Sequence, residues 1–215
     1  LEKETRLASP WEEYSQIPVQ EFIYGAMENT TATIFGDFSL IDSRAFIDRT
    51  YIGTNAHEMA HHWFGDFITA RSNKHTWLQE SYATHYSKIF QKHMFGEDQF
   101  QWSRKQELNS VLAASKENRN PIVHTQAGTP RIYQKGSLVL DMLKYIVGEE
   151  QYNAVITAYL HKHAYGNVET NDLLLAFQDE LGINLSWFFD EWLYRGGEPN
   201  YDISYRSTST SGKNY

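Results

Sequence analysis

The run His57-Glu58-Met59-Ala60-His61 constrains this chain more than any other stretch of it. On an α-helix, residues four apart share a face, so both imidazoles can address one ion while Glu58 lies beside it. An ion held for catalysis needs a third protein ligand and an open position for water. A helix starting near Trp77 supplies Glu80, with eighteen residues, positions 62 to 79, between it and His61. Two imidazoles and a carboxylate suit one Zn2+ per chain, and Glu58 is placed to act as general base on the water beside it. The ordinary alternative, a surface helix whose Glu58 only pairs with a neighbouring charge, leaves the interval to Glu80 unexplained. His62 adjoins a ligand but points roughly 100° away around the helix, so it cannot share the ion.

Composition narrows the setting. The chain has 215 residues, with six Trp, 14 Tyr and 12 Phe, enough apolar mass for a filled interior. Lys and Arg number 19 against 27 Asp and Glu, a net charge of −8, and no basic run occurs. Nucleic acid is therefore not an expected partner. An acidic surface mildly favours substrates that carry a free amine. The absence of cysteine removes disulfides and thiolate ligands without indicating a compartment. No apolar stretch approaches the roughly 20 residues of a membrane span. The first residue is Leu1 rather than Met, and the chain ends in a Ser/Thr-rich segment, so the sequence reads as a piece of a longer protein.

Patterning divides the chain into a small sheet lobe, residues 1–50, and a helical lobe, residues 51–195. Gln20 to Tyr24 and Thr31 to Ile41 are rich in β-branched and aromatic residues and read as strands. From Thr50, a plausible N-cap, the period becomes helical, and the His57 helix is expected to reach about Phe67. Further helices are expected over Trp77 to Met94, Asp98 to Asn118, Arg131 to Val147, Glu150 to Tyr165, Thr170 to Leu181 and Leu185 to Tyr194. Glycines stop several of them. The fold class is α+β, a sheet lobe followed by helices as in a thermolysin-like domain over residues 1–200.

Two further segments, Gly25-Ala26-Met27-Glu28-Asn29 and Tyr133-Gln134-Lys135-Gly136, flank the zinc motif in the chain. Together with His57 to Asp66 and Trp77-Leu78-Gln79-Glu80 they make the sequence closely resemble the zinc aminopeptidases of the aminopeptidase N family. That family includes the bifunctional leukotriene hydrolase, and its members are gluzincins, whose third ligand is a Glu. The resemblance runs from about Trp11 to about Tyr201.

It implies a peptide substrate with a free N-terminus, bound by Gly25, Ala26, Met27, Glu28 and Asn29. In this likeness Glu28 holds the α-ammonium, and the backbone at Gly25 and Ala26 holds the peptide. It also implies that the Tyr133 hydroxyl donates to the oxyanion formed on the attacked carbonyl. Departures are Gln79-Glu80-Ser81 for the family's Asn-Glu-Gly, and His62 and Asp66 for Gln and Asn. Complete members carry further N- and C-terminal domains, and residues 201–215 look like a linker or the start of a following β domain. Two rivals remain at this point: a thermolysin-like endopeptidase, which needs no amine anchor, and a truncated zinc-binding module with little turnover.

Overall fold

The computed structural model describes residues 1–207 and the backbone of 209–210 and 213–214. A single helical turn, α1 (Glu2–Thr5), precedes three strands: β1 (Ser15–Val19), β2 (Ala26–Met27) and β3 (Ala32–Gly36). β3 is central, parallel to β1 from Ser15↔Ala32 to Val19↔Gly36 and antiparallel to β2 through Ala26↔Phe35 and Met27↔Ile34. Thr33 and Phe35 turn inward from β3, whereas β1 is exposed along its length. β2 is thus the other edge, with one side of its backbone left unpaired by the sheet.

The strands are shorter than the sequence suggests. Gln20 to Tyr24 is not extended: Glu21 adopts a left-handed conformation, φ 56°, and the chain turns. Of Thr31 to Ile41, only Ala32–Gly36 is strand, and a 3-10 turn at Asp37–Ser39 ends it. Aromatic and β-branched composition marks a half-buried surface as readily as a ladder position, which is why both segments look alike in sequence.

The helical lobe begins with α2 (Ile52–His61). This helix stops six residues before the expected Phe67, because the chain folds back on itself. The Asp66 amide donates to the His61 carbonyl at 3.0 Å, and a short strand β4 (Ile68–Ala70) follows. No side-chain cap forms at α2, although the Thr50 hydroxyl accepts from the Ile52 amide at 3.2 Å.

After β4 come α3 (Trp77–Phe95), α4 (Glu97–Ala114), a π-helical turn at Arg131–Lys135 and α5 (Gly136–Val147). α6 (Glu149–Lys162), β5 (Gly166–Val168), α7 (Thr170–Leu181), α8 (Ser186–Phe189) and a second π turn at Asp190–Tyr194 complete the lobe. β4 and β5 pair in parallel, a feature with no counterpart in the sequence reading. Residues 201–207 have no regular structure, and the expected start of a β domain falls partly on residues outside those described. No described helix is long and apolar enough to cross a membrane.

The core lies behind α2 and α3. Phe64 stacks on Tyr82 with ring centroids 4.3 Å apart and planes 4° from parallel, and Tyr86 continues the stack. Trp77 is fully buried, its indole donating to the Thr170 hydroxyl at 2.8 Å, so the start of α3 is pinned to the start of α7. Each such aromatic, taken from water, contributes roughly 1.5–3 kcal/mol. A charged cluster ties α3 to α4 and α5. Lys88, 2% exposed, meets Glu107 of α4 at 2.7 Å and Asp141 of α5 at 2.8 Å. His85 and Arg104 also reach Asp141, at 2.9 and 3.3 Å.

Candidate metal centre and active site

Helical spacing does what the sequence requires of it. His57 and His61 project from one face of α2, and Glu80 from the first turn of α3 packed against it. The three donors converge: His57 Nε2 lies 3.1 Å from His61 Nε2, and Glu80 Oε2 lies 3.4 and 3.3 Å from the two nitrogens. Bonds of about 2.0–2.1 Å to a tetrahedral ion require donors about 3.3 Å apart, so the trio has the dimensions of three corners of a zinc site. Glu80 Oε2 is buried and receives no well-directed hydrogen bond, the condition of an atom awaiting a cation.

The outer ring nitrogens are committed elsewhere. His61 Nδ1 donates to the Phe64 carbonyl at 2.9 Å, which fixes the tautomer and turns the Nε2 lone pair toward Glu80. Thr84 Oγ1 lies 3.5 Å from His57 Nδ1 and orients that ring more loosely.

Charge in the site follows from burial and crowding. Burial alone would raise Glu80, but the two imidazoles hold its carboxyl down to about 2. Burial opposes charge on both histidines; it lowers His57, while Glu80 overcomes it at His61 and raises that ring to about 9. The trio thus favours a positive charge among its members, and a divalent ion bound there would displace the proton. Glu58 is 6% exposed, and burial pushes its carboxyl up to about 7. Burial together with the neighbouring carboxylates, Glu80 foremost, keeps the Tyr133 phenol neutral. Its ring lies parallel to that of His57, centroids 5.6 Å apart.

Glu28 leaves the end of β2 with Oε1 3.9 Å from His61 Nδ1. A second acidic grouping, Glu28, Glu58 and His61, shares that histidine. Because His61 Nδ1 already serves Phe64, this grouping is not a second metal site. All of these side chains, with Gly25, Ala26 and Met27 of the β2 edge, line one cleft of about 580 Å³. Asn29, the remaining residue of the expected substrate segment, is exposed; its carbonyl accepts from the Ala32 amide at 2.8 Å and closes the turn behind Glu28.

Sequence reasoning gave no site role to Thr84 and Gln134, and marked Ser81 only as a departure from the family pattern. Thr84 stands one helical turn beyond Glu80 on α3, so periodicity could have found it. Ser81 is fully buried, and its hydroxyl donates at 2.7 Å to the Ile132 carbonyl, within the π turn that carries Tyr133. Gly136 makes room for this contact, since a Cβ there would lie 1.7 Å from Ser81 Oγ. The Gln134 amide, whose Oε1 is buried without a partner, also faces the cleft.

The model of the Peptidase family M1 domain matches residues 1–192 of this sequence. The chain belongs to peptidase family M1. Among curated relatives of this M1 chain, the Tricorn protease-interacting factor F2 of Thermoplasma volcanium is 35% identical over 196 residues, 85% of this chain and 25% of that protein. Aminopeptidase N of Streptomyces lividans is 31% identical over 208 residues, covering 88% of this chain and 24% of its own length. The M1 chain therefore spans about a quarter of the length of the relatives it matches.

Solved structures agree on the fold. Leukotriene A4 hydrolase from Saccharomyces cerevisiae superposes with a TM-score of 0.78 at 22% identity, over 94% of this chain and 34% of that one. The M1 zinc metallopeptidase of Deinococcus radiodurans gives 0.71 at 23% identity, over 89% and 41%. The α+β, thermolysin-like architecture expected from the sequence is the architecture of these M1 domains.

Proposed function

We propose that this M1 chain is the catalytic domain of a zinc-dependent aminopeptidase, removing N-terminal residues from peptides by attack of water. The observation that carries the reading is the spacing of His57, His61 and Glu80, whose donor atoms lie 3.1 to 3.4 Å apart around a buried, unsatisfied oxygen. Zinc bound there supplies a Lewis acid and a water of lowered pKa.

The rest of the chemistry belongs to the chain. Glu58 takes the proton of the attacking water and passes it to the leaving nitrogen, a task suited to a carboxyl that burial raises above the ordinary carboxylate range. The Tyr133 hydroxyl donates to the oxyanion, and as a neutral donor it acts most strongly where charge develops on the way to the transition state. Glu28 pairs with the α-ammonium, and the free edge of β2 offers backbone groups to the peptide.

Glu28 also argues for trimming rather than internal cleavage. One residue spans at most about 3.6 Å of chain, so an amine held beside His61 leaves room for a single residue before the attacked bond. The thermolysin-like endopeptidase has no use for a carboxylate in this place.

The test combines zinc analysis with hydrolysis of free and N-acetylated peptides by the whole protein. One zinc per chain, lost when His57 and His61 are both changed to alanine, and cleavage confined to free peptides are expected. Internal cleavage of acetylated peptides at an equal rate would favour the endopeptidase. Zinc binding with hydrolysis of neither would leave only a zinc-binding module.

A further inference from the structure

His62 follows a proposed ligand directly, yet its ring faces away from the other two and both of its nitrogens are engaged. Nδ1 donates to the carbonyl of Glu58 at 3.2 Å, and Nε2 accepts the backbone N–H of Thr31 at 3.1 Å. The ring is 2% exposed, with Tyr14 edge-on at 5.1 Å, and the Trp11 indole donates to the His62 carbonyl at 3.0 Å. One imidazole therefore joins α2, which carries the metal ligands and Glu58, to the loop between β2 and β3.

That loop is where the chain is strained. Thr31 is β-branched and stands at φ 63°, a left-handed conformation that such residues avoid. A residue persists there only when its surroundings over-determine it. Its amide is held by His62, and its carbonyl accepts from Ser15 of β1 at 2.7 Å. Glu28 lies three residues before Thr31, so fixing the Thr31 backbone limits where the Glu28 carboxylate can stand relative to His61.

We infer that His62 is a positioning residue, holding the Glu28 loop at the metal end of the cleft through the amide of Thr31 and so setting how tightly a free α-ammonium is bound. The inference rests on the reading of Glu28 as the amine anchor. His62→Leu fills similar volume without an acceptor, whereas His62→Gln offers a side-chain carbonyl to the same amide. Should the leucine variant fail to fold, His62→Ala removes the acceptor without adding bulk.

Steady-state kinetics on free peptides, with zinc content measured alongside, decide the matter in the whole, zinc-loaded protein. In the leucine or alanine variant KM should rise about tenfold with kcat within about twofold, the pattern of binding lost equally from ground and transition states. Zinc content should not change, and His62→Gln should recover most of the loss. An unchanged KM, or a glutamine variant as impaired as leucine, overturns the positioning role. Glu28→Ala is the parallel control. If it raises KM while His62→Leu does not, the anchor stands and the tie falls; if Glu28→Ala leaves KM unchanged, the anchor falls and the inference with it.

Discussion

The floor and the rim of the cleft are built on different principles. The floor consists of side chains on two packed helices, α2 and α3, buried to 1% at His61 and 6% at Glu58. The rim is a two-residue edge strand and a turn, with Met27 39% exposed and Thr31 held in a left-handed conformation by a few polar contacts. On the proposed function, chemistry that tolerates little displacement falls to the part that cannot move without opening the core. Recognition of the substrate end then falls to the part that a single hydrogen bond can shift. Holding Thr31 at positive φ costs of order 1–3 kcal/mol, a strain the floor does not carry at its proposed ligands.

The largest effect should come from the floor. Glu58→Gln keeps the shape of the side chain and removes the base, so kcat should fall ~10²-fold or more while zinc and KM stay close to their original values. Near-normal turnover in a zinc-replete variant would remove Glu58 from the mechanism and with it the division of labour drawn here.

Tyr133→Phe probes the border between the two regions, because the π turn hangs from α3 through the Ser81 hydroxyl. Loss of one oxyanion donor typically costs ~10²-fold in kcat, with little change in KM. A raised KM at unchanged kcat would move Tyr133 to the rim, as a binding residue only.

The smallest expected effect concerns the charged cluster that ties α3 to α4 and α5. Burial alone would raise Asp141, but its contacts with His85 and Lys88 hold it down to about 2 from an ordinary 3.8. A carboxylate depressed on folding adds stability above its unfolded pKa and loses it as pH falls through the folded one, here between 3.8 and about 2. Asp141→Asn should therefore lower Tm at neutral pH by roughly 4–8 °C, about 2 kcal/mol, and flatten the acid loss relative to the unmodified protein. Parallel acid profiles in the two proteins would show that this cluster does not brace the helices.

What the sequence revealed follows the same division. The proposed ligands on the floor were legible because a helix repeats, and His57, His61 and Glu80 obey that repeat with an interval that two packed helices can span. α7 was placed at Thr170–Leu181 by its helical pattern and by Gly182 after it, while its Glu169–Asp172 capping box was not read. The parallel pair β4 and β5 was not legible, since three-residue strands have no measurable period and the partners are separated by four helices. Nor was the π turn at Arg131–Lys135, because π and α segments share one apolar pattern and differ only in which carbonyl each amide finds. At the rim, the Gly25 to Asn29 segment was recognised by its resemblance to a family and not by its local physics, which describes any turn between strands. The tie from His62 to Thr31 joins residues 31 positions apart and leaves no trace in either neighbourhood.

The β4–β5 pairing bears on how the site is assembled during synthesis. All three proposed ligands are in the chain by residue 80, yet the strand that follows α2 pairs with residues 166–168, and Trp77 donates to the hydroxyl of Thr170. A nascent chain therefore carries a complete set of metal donors long before it carries the core that aligns them. Closing so long a loop is slow relative to forming the helices within it. The start of α3, which carries Glu80, is tied down only once Thr170 is in place, so zinc captured before then would be held by a less constrained peptide than the finished domain.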